Sequence, residues 1–463
     1  MDMSKSSRSL RNRMLGLAAL VAAALVPFPA EAQVTVHPLG GWHGWDNLGG
    51  NVARSAGFDC LARPSNGIDC FALRPAVNGT SEIEHLALPG ALPQWSPLQG
   101  VAPVINGPAS VIDFADQRPG CVSIAAGRFD CAIFAAVGQQ QSLFHIWRDG
   151  ASAGWWEDIG LRETVASYPS CAIQHTTAIR CFFRLGDGTL GTRLWDGHVW
   201  TGGNFGGTIA APTAPECTTW NSGTPSTEMI TCIFVTTVQT VHGPTRGLRS
   251  VTLTQSTAAG AALTTLPGSS ADLPIDGTQS VADPSGDFQF PSQPKCASSA
   301  GTLFCVMWMH ASSGEMMLAR WSTHDGHSWI GPFNLHDDRG ASDNPSGFGT
   351  PLASAFDCVA RGSDRVDCVE VVMRGFRQTA GGGFLNQSLH MHWGGWVSTG
   401  AASWTNVDGL TVPVAADLGV FNKMQVRCLS QGPDSLDCFT VAAGQGPLLH
   451  AHFQAPPVTI PLH

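Results

Sequence analysis

The sequence predicts an all-β protein, a seven-bladed β-propeller built from four-stranded antiparallel blades, and three observations predict it. Cysteines fall into seven local pairs with none left over. Charged residues are only 13% while Gly numbers 53 and Pro 30, a composition poor in long surface helices and rich in turns. A strand–turn–strand order recurs with each pair. The 431 residues after residue 32 give about 62 residues per pair, compatible with propeller blades that carry long loops.

The pairs are Cys60/Cys70, Cys121/Cys131, Cys171/Cys181, Cys217/Cys232, Cys296/Cys305, Cys358/Cys368 and Cys428/Cys438, five of them ten positions apart. Between most partners lies a turn signal such as PSNG (64–67) or GPD (432–434), which reads as a hairpin connection. Cysteines directly opposite on antiparallel strands have closely spaced Cβ atoms, so seven cross-strand disulfides are expected. The alternatives are reduced core cysteines, or zinc ligation, for which the C-x2-C spacing is missing.

The chain opens with Arg8, Arg11 and Arg13, an apolar run from Leu15 to Phe28 and Ala30-Glu31-Ala32, the pattern of a secretory signal peptide over residues 1–32. The oxidising destination this implies agrees with the disulfides and predicts a secreted, extracellular or periplasmic, bacterial protein. Residues 33–463 then form a single propeller domain. A net charge of −10 with only three lysines, Lys5, Lys295 and Lys423, argues against nucleic acid, and no later stretch reads as a membrane span.

Within a unit the predicted order is a strand with the first Cys, a turn, a strand with the second Cys, a third strand ending near a Trp, a Gly turn and a fourth strand. The second unit shows it in GCVSIAAG (120–127), RFDCAIFAAV (128–137), SLFHIW (142–147) and GWWEDIG (154–160). Further third strands are GTLGTRLW (188–195), MMLARW (316–321), SLHMHW (388–393) and LLHAHF (448–453). The fourth unit departs, with cysteines fifteen apart and no terminal Trp between Ser250 and Asp287, which reads as an insertion or a degraded blade edge. After the last pair only LLHAHF follows, while GGWHGWDNLGG (40–50) is an unassigned fourth-strand motif. Residues 33–50 are therefore expected to complete the last blade, a closure that removes open sheet edges.

Second strands such as RFDCAIF, RVDCVEV and SLDCFTV, third strands such as SLFHIW, a Gly turn and W-x-x-W/L-G-G resemble the repeats of PLL-like seven-bladed β-propeller lectins. These are secreted bacterial proteins that bind fucose and related sugars. The resemblance covers nearly the whole mature chain and implies a carbohydrate-binding protein, multivalent through its repeats. The cysteine pair departs from that family, whose second-strand position is typically apolar. STHDGHSW (322–329) is similar to the sialidase Asp-box, a structural turn between third and fourth strands, with His324 where the aspartate usually sits.

Sugars stack C–H-rich faces on aromatic rings and need convergent polar partners for their hydroxyls. With 15 Trp against one Tyr, the candidate ligand-binding residues are Trp45, Asp46, Asp149, Trp156, Asp196, Trp200, Asp325, Trp329 and Trp396. Against each stands a structural role, inter-blade packing for a repeated Trp and backbone bonding for a turn aspartate. Expected partners are glycans or glycoconjugates; no cofactor is expected. Two other functions remain open, a sialidase-like glycoside hydrolase and a non-catalytic interaction scaffold. For catalysis the sequence offers Tyr168 with Glu163 nearby, and the carboxylates Glu84, Glu157, Glu370 and Asp367. An Asp recurs immediately before the second Cys at Asp69, Asp130, Asp367 and Asp437, which suggests architecture. The His390/His392 and His450/His452 pairs each lie on one strand face, the spacing of a zinc chelate, but a third ligand is not evident from spacing.

Overall fold

The computed structural model describes segments between residues 41 and 455; residues 1–40, 98–118, 282–292, 335–353, 414–424 and 456–463, with shorter connections, lie outside the described residues. The predicted leader is among them. The architecture is an all-β propeller with antiparallel blades. Among the described residues it contains seven antiparallel sheets of four or five strands and one two-stranded ribbon, Arg377–Gln378 with Phe384–Leu385.

The third sheet is the plainest: Ser170–Gln174, Ala178–Arg184, Leu190–Trp195 and Trp200–Asn204 pair in chain order. Every one of the seven carries one cysteine pair on its first two strands. The bridges join Cys60 to Cys70, Cys121 to Cys131, Cys171 to Cys181, Cys217 to Cys232, Cys296 to Cys305, Cys358 to Cys368 and Cys428 to Cys438, and no cysteine is free. Partners stand directly opposite in register, with Cα atoms 4.0 Å apart at Cys171–Cys181 and 4.2 Å at Cys296–Cys305. Direct opposition explains how separations of 9, 10 and 15 serve one purpose: only the hairpin tip changes length.

The first strands form the inner wall. Phe58–Arg63 touches Gly120–Ala125, which touches Ser170–Gln174, and the contacts pass through Glu216–Asn221, Lys295–Ser299, Ser354–Arg361 and Val426–Gly432 back to Phe58–Arg63. Residues from all seven of these strands line one cavity of about 450 Å³. At the other end of the chain, Gly41–Asn47 pairs antiparallel with Leu448–Gln454, Gly41 opposite Gln454 and Asn47 opposite Leu449.

The cores lie between sheets. Phe183, Ile179 and Leu185 of the third sheet pack on Val122, Ala132 and Leu143 of the second, and its Phe182 and Leu190 pack on Ile230, Phe234 and Leu253 of the fourth. Each second strand is thus covered on both faces, which is why Glu228–Thr240 and Thr302–His310 read as apolar runs with weak alternation. Trp308 and Trp321 are fully enclosed, each contributing about 2–3 kcal/mol by burial.

In six of the seven bridges the first-strand cysteine borders the cavity, while in the first bridge Cys60 and Cys70 lie in one core cluster. Cys121, Cys171, Cys217, Cys296, Cys358 and Cys428, on first strands, border the cavity. The second-strand cysteines are core residues: Cys70, Cys181, Cys232, Cys305, Cys368 and Cys438 are wholly enclosed, and Cys131 is 2% exposed. Cys70 packs with Phe58 and Leu86, Cys232 with Phe234 and Leu253, and Cys368 with Trp308 and Val366. The second-strand position is therefore apolar in character even though a cysteine fills it, because a cystine sulfur behaves there as a small hydrophobe.

Adjacent first strands do not form a hydrogen-bonded ladder, so inner backbone N–H groups need other acceptors. The residue before the first Cys supplies them. The N–H of Cys121 donates to Asp59 Oδ2 (3.0 Å), that of Cys217 to Ser170 Oγ (2.9 Å) and that of Cys428 to Asp357 Oδ2 (2.8 Å), each across to the neighbouring sheet. In the second sheet this position is Gly120, where a Cβ would meet the Pro169 carbonyl oxygen at 2.7 Å. Gly120→Ala is expected to cost about 1–3 kcal/mol through that overlap. Thermal melting checks it; an unchanged transition would refute the close approach.

Between the sixth, seventh and first sheets, Arg427 stands between two carboxylates. Its Nε lies 2.8 Å from Asp59 Oδ1 of the first sheet, and its Nη1 3.5 Å from Asp357 Oδ2 of the sixth. The Phe58 N–H also donates to Gln425 Oε1 across this junction (3.3 Å).

The polar segment from Ser250 to Asp287 is described in part, and most of what is described belongs to the fourth sheet. That sheet's third strand is Gly243–Thr254, and its outer edge is split into Thr264–Thr265 and Ala271–Asp272. The Trp expected at the third-strand end is replaced from the neighbouring sheet: Trp329 Nε1 donates to Ser250 Oγ (3.0 Å), and Thr252 Oγ1 to the Gly326 carbonyl (2.7 Å). In the second sheet the predicted fourth strand GWWEDIG is described only at Glu157–Asp158.

Candidate functional site

Two turns that join third to fourth strands carry predicted aspartates, Asp196 and Asp325, and both are fully described. In Trp195-Asp196-Gly197-His198-Val199-Trp200, Asp196 Oδ1 accepts the N–H groups of His198 (2.8 Å) and Val199 (2.9 Å), and Gly197 takes φ 99°. In the STHDGHSW turn, Asp325 Oδ1 accepts from the N–H groups of His327 (2.9 Å) and Ser328 (2.7 Å) and from Thr323 Oγ1 (2.9 Å). The bonds from Val199 and His198 hold the Asp196 carboxyl below its ordinary range. Burial pushes Asp325 up, but its hydrogen bonds outweigh that and leave it well below the usual range. Both carboxylates therefore support their turns at neutral pH and lose that role only as pH falls through the depressed pKa.

These bonds give two of the predicted aspartates a structural role. One oxygen of Asp196 and of Asp325 is committed to the turn backbone, the behaviour short polar side chains show at turns. Trp200 pairs with Trp195 across the strands, their ring centroids 5.5 Å apart, and both pack on His145 of the second sheet. Their indole nitrogens are enclosed without a hydrogen-bond partner. Trp329 is fastened to Ser250 of the preceding sheet. Trp200 and Trp329 thus bridge sheets, each with part of its surface still open. Trp45 is half-buried and Asp46 exposed on Gly41–Asn47. Asp149 and Trp396 are placed only as strand backbone, and Trp156 lies outside the described residues. Asp196 and Trp200 share one turn and Asp325 and Trp329 another, so the candidates are distributed among sheets. The second-strand cysteines Cys70, Cys131, Cys232, Cys368 and Cys438 offer a ligand nothing: each is buried and bonded to its partner.

A second constellation was only half legible. The aspartate before the second Cys is buried in four sheets and faces arginine or histidine side chains. Asp69 receives His85 Nε2 at Oδ1 (2.7 Å) and pairs with Arg63 Nε at Oδ2 (3.0 Å). Asp130 receives His145 Nε2 (2.9 Å) at Oδ1 and Arg128 Nε (3.0 Å) at Oδ2. Asp367 lies between Arg361 and Arg365. Asp437 differs: His450 Nε2 (2.9 Å) and His452 Nδ1 (2.8 Å) both reach its Oδ1. Burial pushes the Asp437 carboxyl up, yet the two histidine bonds prevail and hold it below its ordinary value. The bond to Asp437 outweighs burial and raises His452. The group that joins the His450/His452 pair is Asp437, set opposite His452 by strand register.

The catalytic candidates whose side chains are described are buried. Tyr168 is 4% exposed, Glu84 is equally buried, and Asp367 is enclosed by its two arginines. Glu163 lies outside the described residues, and the side chains of Glu157 and Glu370 are not described. Among the described residues no helix is long and apolar enough to cross a membrane.

No protein-family model matches the chain, and no curated protein matches it. It is similar to solved structures. One is the lectin of Aleuria aurantia in complex with alpha-methyl-L-fucoside, 13% identical over 78% of this chain and 97% of that one, with a TM-score of 0.41. Another is SapL1 lectin in complex with alpha methyl fucoside, 15% identical over 78% and 97%, at 0.38. A third is a Hadza microbial sialidase, 11% identical over 72% and 64%, at 0.36. The Aleuria lectin has also been described as a six-bladed β-propeller.

Proposed function

We propose that the protein is a secreted carbohydrate-binding propeller that presents several glycan sites on its third-to-fourth-strand turns, with fucose-type or related sugars as ligands. Seven blades are assigned, one per disulfide-bearing sheet, with Gly41–Asn47 as the outer strand of the last. Seven disulfides suit an oxidising exterior. The observation that carries the reading is the turn Trp195–Trp200, where two partly buried indoles flank an exposed aspartate and histidine. An aromatic face beside convergent polar groups is what a sugar requires. The same reading extends to Trp45 and Asp46, to Asp325 and Trp329, and to Asp149, Trp156 and Trp396.

A glycan array with the mature protein tests it. Binding to fucosylated or related glycans is expected, weakened in His198→Ala, whose side chain is exposed and whose turn bond is made by its backbone. Silence across fucosylated, galactosylated and methylated sugars would sink the reading.

A further inference from the structure

We propose that Asp437, His450 and His452 form a binding site for a divalent transition-metal ion of the zinc class, independent of any glycan site. The site lies in the last sheet, between Ser435–Val441 and Leu448–Gln454.

Asp69, Asp130, Asp367 and Asp437 occupy one structural position, immediately before the second Cys, and the last of them is surrounded differently. In the first, second and sixth sheets an arginine meets each carboxylate at Oδ2. In the last sheet, among the described residues, none does. The position held by Arg128 and Arg365, three before the second Cys, is Ser435. Across the strand from the aspartate the other sheets have Ala87, Trp147 and Gly395, while the last has His452. One imidazole has thus been added where the guanidinium is missing.

The result is a donor set rather than a closed ion pair. Two imidazole nitrogens and a carboxylate oxygen all lie within 4.8 Å of one another. Asp437 is 4% exposed, and its Oδ2 is buried without a hydrogen-bond partner, unlike Oδ2 of the arginine-paired aspartates. His450 stacks on Phe439, centroids 4.7 Å apart and 16° between planes, which holds its ring toward the carboxylate. Two histidines and an aspartate are a borderline N/O set suited to zinc, whose sites with three protein ligands leave a fourth position open. Here that position would face solvent, since His452 is partly exposed. The register also sets His43 of Gly41–Asn47 opposite His452, which places the site at the junction of the two paired end strands.

The test is calorimetric titration of ZnCl2 into tag-free, chelator-treated protein, with metal content by elemental analysis. One zinc per chain is expected. Asp437→Asn and His450→Gln should each weaken binding at least roughly tenfold. His452→Arg puts a guanidinium beside Asp437 in place of an imidazole; it should melt like the parent and bind no zinc, so loss of the site is separated from loss of the fold. Absence of zinc binding by the parent, or equal binding by parent and His452→Arg, overturns the proposal.

Discussion

Arg427→Met is expected to lower the stability of the protein by about 3 kcal/mol, because it removes the cation shared by two buried carboxylates. Asp59 and Asp357 have side chains only 6% and 2% exposed, and Arg427 reaches both from the intervening sheet. Methionine keeps much of the packing volume, so the loss is electrostatic. For about 400 folded residues this corresponds to a drop of roughly 3–4 °C in melting temperature. The triple variant Arg427→Met, Asp59→Asn, Asp357→Asn should regain much of the loss, since asparagine can still accept the Cys121 and Cys428 N–H bonds without carrying a charge. Equal melting of parent and single variant would show that the arginine is not what joins the sixth, seventh and first sheets.

Reduction of the disulfides is expected to unfold the protein. Each bridge closes a loop of 9 to 15 residues and contributes about 2–3 kcal/mol. Seven such contributions exceed the net stability of about 5–15 kcal/mol typical of folded domains. The cysteines are buried, apart from the partly buried Cys171 and Cys296, so a reductant must wait for the sheets to open. Under native conditions tris(carboxyethyl)phosphine should act slowly, and faster with mild heating or denaturant. Tryptophan fluorescence and thiol counting follow the two events. A fully reduced protein that melts like the oxidised one would remove the bridges from the account of stability.

What the sequence disclosed depended on the reach of its signals. Cysteine spacing located the first two strands of every sheet, because partners such as Cys60 and Cys70, ten residues apart, lie in one hairpin. It could not say which partner would border the cavity and which, like Cys131 or Cys438, would sink into the core, since that depends on neighbouring sheets. The leftover motif at residues 40–50 and the missing strand after LLHAHF point to each other, and Gly41–Asn47 does pair with Leu448–Gln454. Contacts between sheets were not legible. Asp59 and Cys121 are 62 positions apart, and no periodicity links them. In the sequence Asp437 falls in with its repeats and His450 with His452, and only register shows that the groups meet. For Trp200 and Trp329, composition flags the residues but does not reveal that each is wedged against a neighbouring sheet.

The pairing of Gly41–Asn47 with Leu448–Gln454 also imposes an order on folding. The strand that leaves the ribosome early finds its partner only when the last strand has been made. Until then its backbone donors and acceptors are an open edge, the kind that recruits other chains. The contact spans almost the entire sequence, so it is a slow one to form. Completion of that sheet is therefore expected to come late in folding, with the edge of Leu448–Gln454 open until Gly41–Asn47 has docked.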